Sequence, residues 1–303
     1  LETPQKRSNL LLWVILGGGA FIFFILCLLA LAAFFTGEGS PGLSLSGNQV
    51  AAIELEGTIT DSQEFVDQLK DLGNRSGVRA VVLRINSPGG GVAASQEIYE
   101  AVKKFRAESK KKVVVSMGSV AASGGYYAAC AADRILANPG TITGSIGVIA
   151  EWYNYGDLLR WARLQSIVIK SGALKDAGSA TRPLTDEEKA YFQSLIGNMY
   201  GQFVSAVAKS RNMKEEDVRK LADGRVYTGE EAKANGLIDG IGTYQDAIAE
   251  AGKLAGISGT PKVLSPPKKT FSIFDLLLGD SRSALSLSPD RSESHIRFEY
   301  LWK

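Results

Sequence analysis

The chain has 303 residues, 45% of them hydrophobic, with 34 Lys and Arg set against 32 Asp and Glu. A formal net charge of +2 with no basic stripe gives no electrostatic case for nucleic-acid binding. The two cysteines are too few and too far apart for a disulfide framework, and nothing matches a zinc pattern. Cys27 sits in an apolar run and Cys130 beside alanines, so both read as small buried or lipid-facing side chains. The single histidine, His295, belongs to a polar tail near the end. A Ser-His-Asp triad therefore has little support, and any nucleophilic chemistry points to a lysine or a carboxylate as its base.

In chain order, residues 1–9 are polar and include Lys6 and Arg7. Residues 10–35 (Leu10 to Phe35) carry no charge over 26 positions. At ~1.5 Å per residue such a helix reaches about 39 Å, against a hydrocarbon core of ~30 Å. The run predicts one N-terminal transmembrane helix, with a cleaved leader ending near Ala30-Leu31-Ala32 as the alternative. Basic residues before it, and Glu38 as the first charge after it, predict a cytoplasmic N-terminus. Residues 36–49 form a Gly/Ser-rich linker.

A folded domain is predicted over 50–264. Val50–Leu55 reads as a strand, followed by a helix that Asp61 caps and that reaches about Leu72. Val78–Ile85 is a β-rich run of the kind covered on both faces. A helix over Val92–Ala107, a strand over Lys112–Met117 and a helix beginning at Ser123 follow. Short strands are expected near Arg134–Ala137 and Ile146–Ala150, a helix over 155–164, an extended piece over 165–169, and an irregular loop from Ser171 to Pro183. Thr185 with Glu188, and Thr228 with Glu231, fit capping boxes opening helices that run to about Ser210 and to Gly236. Helices are also expected over Lys214–Ala222 and 243–254. Strand and helix alternate with short turns, which predicts an α/β domain of right-handed βαβ units. Residues 265–303 form a Ser-rich tail, expected to be largely disordered around one apolar patch, Phe271–Leu278.

Three places carry candidate chemistry. Ser123 stands in Ala-Ala-Ser-Gly-Gly-Tyr-Tyr where a helix begins, so it is either a nucleophile or a simple N-cap. The turn Asn86-Ser87-Pro88-Gly89-Gly90-Gly91 lacks the Lys-Ser/Thr of a P-loop. It serves either close packing or an oxyanion hole in which the Gly90 N–H joins that of Gly124. A lysine acting as base must be neutral, which requires a dry apolar crevice and no facing carboxylate. Lys175 could serve only if Asp176 faces away, and residue physics alone does not select it from the other lysines.

Five blocks occur in order: INSPGGG (85–91), MGSVAASGGYYAACAAD (117–133), TGSIGV (143–148), IKSGALKD (169–176) and ADGRVYTGEEAKANGLID (222–239). Through them residues 50–255 resemble the short-form signal peptide peptidase A group of peptidase family S49, which has a Clp protease/crotonase-like fold. The resemblance implies that Ser123 is the nucleophile and Lys175 the general base. It implies that Ser145 orients the lysine and that Gly90 and Gly124 supply the oxyanion hole. No metal or organic cofactor is implied. It further implies a ring-like homo-octamer in which Ser123 of one protomer meets Lys175 of its neighbour. Remnant signal peptides are the implied substrates, and a single-pass protein of the bacterial inner membrane with an extracytoplasmic protease domain is the implied setting. The rival readings are an acyl-CoA-handling crotonase-like enzyme and a non-catalytic membrane scaffold of the same fold.

Overall fold

The computed structural model describes residues 48–265 and 297–301, together with single helical positions at 21, 23–25 and 28. Apart from those positions the expected anchor lies outside the described residues, as does the patch 271–278. Among the described residues no helix is long and apolar enough to cross a membrane. The chain divides into two units, Leu1–Leu45 and Ser46–Lys303, and the second holds the α/β domain.

Period-two burial builds its sheet. In β1 (Gln49–Glu56), β2 (Val78–Ser87) and β4 (Lys112–Ala122), alternate side chains enter two different cores. Val81, Leu83 and Ile85 of β2 meet Phe65 and Leu69 of α1 (Gln63–Asn74) and Ile98 and Val102 of α2 (Val92–Ser109). Ala80 and Val82 point the other way, joining Val114, Ala247 and Ile248 on α8 (Tyr244–Leu254). Each buried Val, Leu or Ile contributes about 1.5–3 kcal/mol. A strand with two apolar faces is stable only when helices cover both, which is what the βαβ connections provide.

The main sheet has eight strands. Its path runs β10 (Lys262–Leu264), β1, β2, β4, β5 (Arg134–Ala137), β9 (Gly240–Ile241), all parallel. Off that path, β6 (Ile142–Gly144) pairs in parallel with the last residues of β4, and β8 (Val226–Thr228) closes antiparallel on β6. A second, three-stranded sheet is wholly antiparallel: β3 (Gly89–Gly91), β11 (Arg297–Leu301), β7 (Ile149–Glu151).

The helices follow local signals closely. The Thr185 and Thr228 capping boxes open α5 (Asp186–Arg211) and α7 (Gly229–Ala234), and Thr243 with Asp246 makes a third. The Asp61 carboxylate accepts the Gln63 N–H at 2.7 Å. Helices α3 (Gly124–Ala129), α4 (Gly156–Trp161) and α6 (Glu215–Leu221) complete the set among the described residues of the second unit.

Three expectations are corrected. β4 runs past Met117 to Ala122, because Val120–Ala122 find a partner in β6. Ile146–Ala150 is not one strand: Ser145, at φ +49°, turns the chain, and pairing resumes only at Ile149, in the other sheet. The loop expected to be irregular from Ser171 to Pro183 contains a 3₁₀ turn, Ala173–Asp176.

Candidate active site

Ser123 sits where β4 gives way to α3, at φ 53° and ψ −117°. A non-glycine residue at positive φ is strained and persists only when its surroundings hold it. Here they do: its N–H donates to the Gly144 carbonyl and its carbonyl accepts from Tyr127 N–H, both at 2.8 Å. Its hydroxyl makes no capping bond to α3, so the N-cap alternative does not describe its role.

The glycine turn lies against it. Gly89, at φ +101°, accepts the Ile59 N–H at 2.8 Å, and Gly91 N–H donates to the Ile59 carbonyl at 2.8 Å. With both neighbours committed to Ile59, the N–H and C=O of Gly90 face the opposite side, where Tyr300 is its register partner. A methyl group on Gly90 would come 2.6 Å from the Ile59 nitrogen, so only glycine fits. A methyl group on Gly124 would lie 3.2 Å from the Gly90 nitrogen and 3.2 Å from the Tyr300 carbonyl oxygen. The amides of Gly90 and Gly124 thus flank one small space, and a carbonyl oxygen stands beside it. Ser87 steadies the turn, accepting from Gly89 N–H at 3.1 Å and donating to the Gly57 carbonyl at 2.6 Å.

Ser123 and Ser145 line a common cleft of about 430 Å³ with Ile146, Val148, Tyr200 and Leu301. Ser145 is held in its left-handed conformation by its N–H bond to the Arg225 carbonyl, 2.8 Å. Lys175 does not line this cleft; it lies exposed on the 3₁₀ turn. Asp176, beside it, is occupied elsewhere. Its carboxylate takes Lys170 Nζ at 2.5 Å and pairs with Arg182 at 3.0 Å, and these contacts hold it below the usual carboxylate range, Lys170 first. The carboxylate therefore engages cations other than Lys175. Four of the five expected residues come together within the chain, and the fifth does not.

A groove beside Ser123 was not legible in the sequence. β11 fills it, with Glu299 opposite Gly91 and Ile149, Tyr300 opposite Gly90, and Leu301 opposite Gly89. The Tyr300 ring is buried among aromatics: it stacks on Tyr127 with centroids 5.3 Å apart and planes 15° apart, and meets Phe203 at 4.8 Å. Its hydroxyl donates to the Met199 carbonyl at 3.0 Å. The signal available was the alternation of polar and apolar residues in Arg297-Phe298-Glu299-Tyr300, after the polar run Ser288–His295.

Residues 105–258 match the sequence profile of peptidase family S49, and residues 48–140 that of Clp protease. A Synechocystis sp. chain provisionally named a protease is 44% identical over 219 residues, covering 72% of this chain and 78% of that one. An Enterococcus faecium chain provisionally named a signal peptide peptidase is 38% identical over 216 residues, covering 67% and 62%. Protease 4 of Salmonella typhi is 39% identical over 219 residues, which cover 69% of this chain and 35% of that protein.

Proposed function

We infer how the site works from one premise: this chain belongs to peptidase family S49 and is a serine peptidase of Clp protease-like α/β fold. Neutral Lys175, supplied by a neighbouring protomer, takes the proton of Ser123, whose Oγ attacks a peptide carbonyl. The N–H groups of Gly90 and Gly124 hold the resulting oxyanion, and the lysinium protonates the departing amine. Water then hydrolyses the acyl-enzyme through the same base. Ser145 orients the lysine from its place in the shared cleft.

The observation that carries this reading is the strand Arg297–Leu301. An extended peptide lies antiparallel between β3 and β7, passing Ser123 with a carbonyl beside both candidate oxyanion donors. A protease needs a peptide held in that manner; an acyl-CoA enzyme does not. The assembly reading is supported by the position of Lys175 outside the cleft. It is also supported by the apolar side chains left open on the same stretch: Tyr153 is 82% exposed, Trp161 83%, Ile167 82% and Ile169 98%. Such a surface fits burial against further copies, of which a ring of eight is the proposed form. The substrates proposed are signal peptides already released from exported proteins. A membrane helix over residues 10–35 would keep the protease domain on the extracytoplasmic face, where those fragments lie.

The test is a mixing experiment. Ser123→Ala and Lys175→Ala each lose peptide hydrolysis by about 10³-fold or more while keeping their oligomeric state. Mixed under conditions of subunit exchange, the two dead variants regain activity if a serine of one protomer works with a lysine of another. No recovery, with exchange verified by a mass-tagged subunit, overturns the shared site.

A further inference from the structure

We propose that Arg182 is a positioning residue for the proposed base: it fastens the turn that bears Lys175 to the start of helix α5, so that the amine reaches the neighbouring protomer from a fixed place. The inference deepens the shared-site reading above and rests on it. A base carried on a surface turn meets a mechanical difficulty. The turn Ala173–Asp176 buries none of its side chains, so apolar packing does not fix it, and Lys175 itself is exposed. A reacting group misplaced by about 1 Å can cost about 10²-fold in rate. Polar ties must therefore hold the turn, and they converge on the residue next to the lysine.

Arg182 grips that residue twice. Its Nη2 donates to the Asp176 carbonyl at 3.2 Å, and its Nε donates to the Asp176 carboxylate at 3.3 Å. The same guanidinium reaches the other way, with Nη1 and Nη2 donating to the two carboxylate oxygens of Glu188 at 2.9 and 2.5 Å. Glu188 is 2% exposed and closes the capping box with Thr185 at the head of α5. That helix is in turn seated in the core by Phe203, Val204 and Val207. The connection thus runs from the lysine turn through one side chain to the packed interior.

Lys170 adds a tie of another kind. Its Nζ donates to the Ala173 carbonyl at 2.9 Å and to the Asp176 carboxylate at 2.5 Å, but both ends of that tie lie within the same loop. Exposed ion pairs hold little, whereas the Arg182 pair ends on a buried carboxylate. A planar fork of five donors can serve a carbonyl and two carboxylates at once; a lysine ammonium is a point charge that cannot span them.

The mixing experiment tests the proposal, because the two subunits of a shared site have different duties. Arg182→Lys keeps a cation opposite Glu188, so the fold is retained, while giving up the fork. Placed in the Ser123→Ala subunit, which supplies the lysine, it should lower the recovered kcat about 10- to 10²-fold with KM within about twofold. Placed in the Lys175→Ala subunit, which supplies the serine, it should leave the recovered activity as it was. Asp176→Asn, which leaves the Arg182–Glu188 pair in place, should show the same one-sided loss to a smaller degree. Light scattering and a mass-tagged subunit confirm that each mixture assembles and exchanges. Equal losses in the two placements, or no loss in either, would overturn the positioning role while the shared site stands. No recovery in the parent mixture would instead overturn the shared site, and the role of Arg182 with it.

Discussion

The conformation of Ser123 decides where its hydroxyl points. Its φ of 53° is tolerated because β6 on one side and α3 on the other bond its backbone, and its hydroxyl makes no capping bond to the helix it begins. Gly124 must then have no side chain, since a methyl there would collide with Ser95 Oγ and crowd Gly90 N–H. Gly124→Ala is expected to lower kcat by about 10²–10³-fold through the oxyanion site and also to lower the melting temperature, because the buried Ser95 must give way, as measured by steady-state kinetics and calorimetry. Cys130 illustrates the opposite case of a reactive group that the fold silences. Burial pushes its thiol up to about 12, so it stays protonated at pH 7–9. Alkylation and peptide mapping should leave Cys130 unlabelled in the native protein and label it after denaturation.

Among the elements, the lysine loop and α5 form one mechanical piece. A chain of charges runs from Lys170 to Asp176, to Arg182 and to Glu188, which closes the capping box with Thr185. Glu188 is buried, and its carboxyl is lowered to about 2, first by Arg182 and then by the Thr185 N–H. A depressed carboxylate contributes stability that is present above its unfolded value near 4.5 and is lost as pH falls toward 2. Glu188→Gln should therefore reduce the loss of melting temperature between those pH values and lower it at pH 7 by roughly 5 °C. A variant whose acid limb matches wild type would show that the clamp adds nothing. Thr185–Glu188 was visible in the sequence because a capping box is made within four residues. Ile146–Ala150 was misread because its apolar run lacks any local mark of the bend at Ser145. That bend depends on a carbonyl 80 positions away, at Arg225.

For the molecule as a whole, the candidate nucleophile and oxyanion donors lie together beside β11, whereas the proposed base, Lys175, lies outside the cleft that Ser123 lines. Specific activity should therefore fall on dilution in step with dissociation, tracked by light scattering alongside peptide hydrolysis; undiminished activity in a verified monomer would rule out a site shared between copies. Sequence by itself determined the parallel core, the helix starts and the family, because two-sided apolar strands, capping residues and glycine-rich turns act over a few neighbouring residues. Family S49 membership likewise lies in blocks of adjacent residues. The geometry by which Ser123, Ser145, Gly90 and Gly124 converge while Lys175 lies outside their cleft comes from the tertiary structure, since residue physics along the chain did not select Lys175 from the other lysines. It alone placed residues 297–301 in the groove. Those relations join segments as distant in the chain as Gly90 and Tyr300, and their stability comes from strand pairing and ring burial that exist only once the sheet has formed.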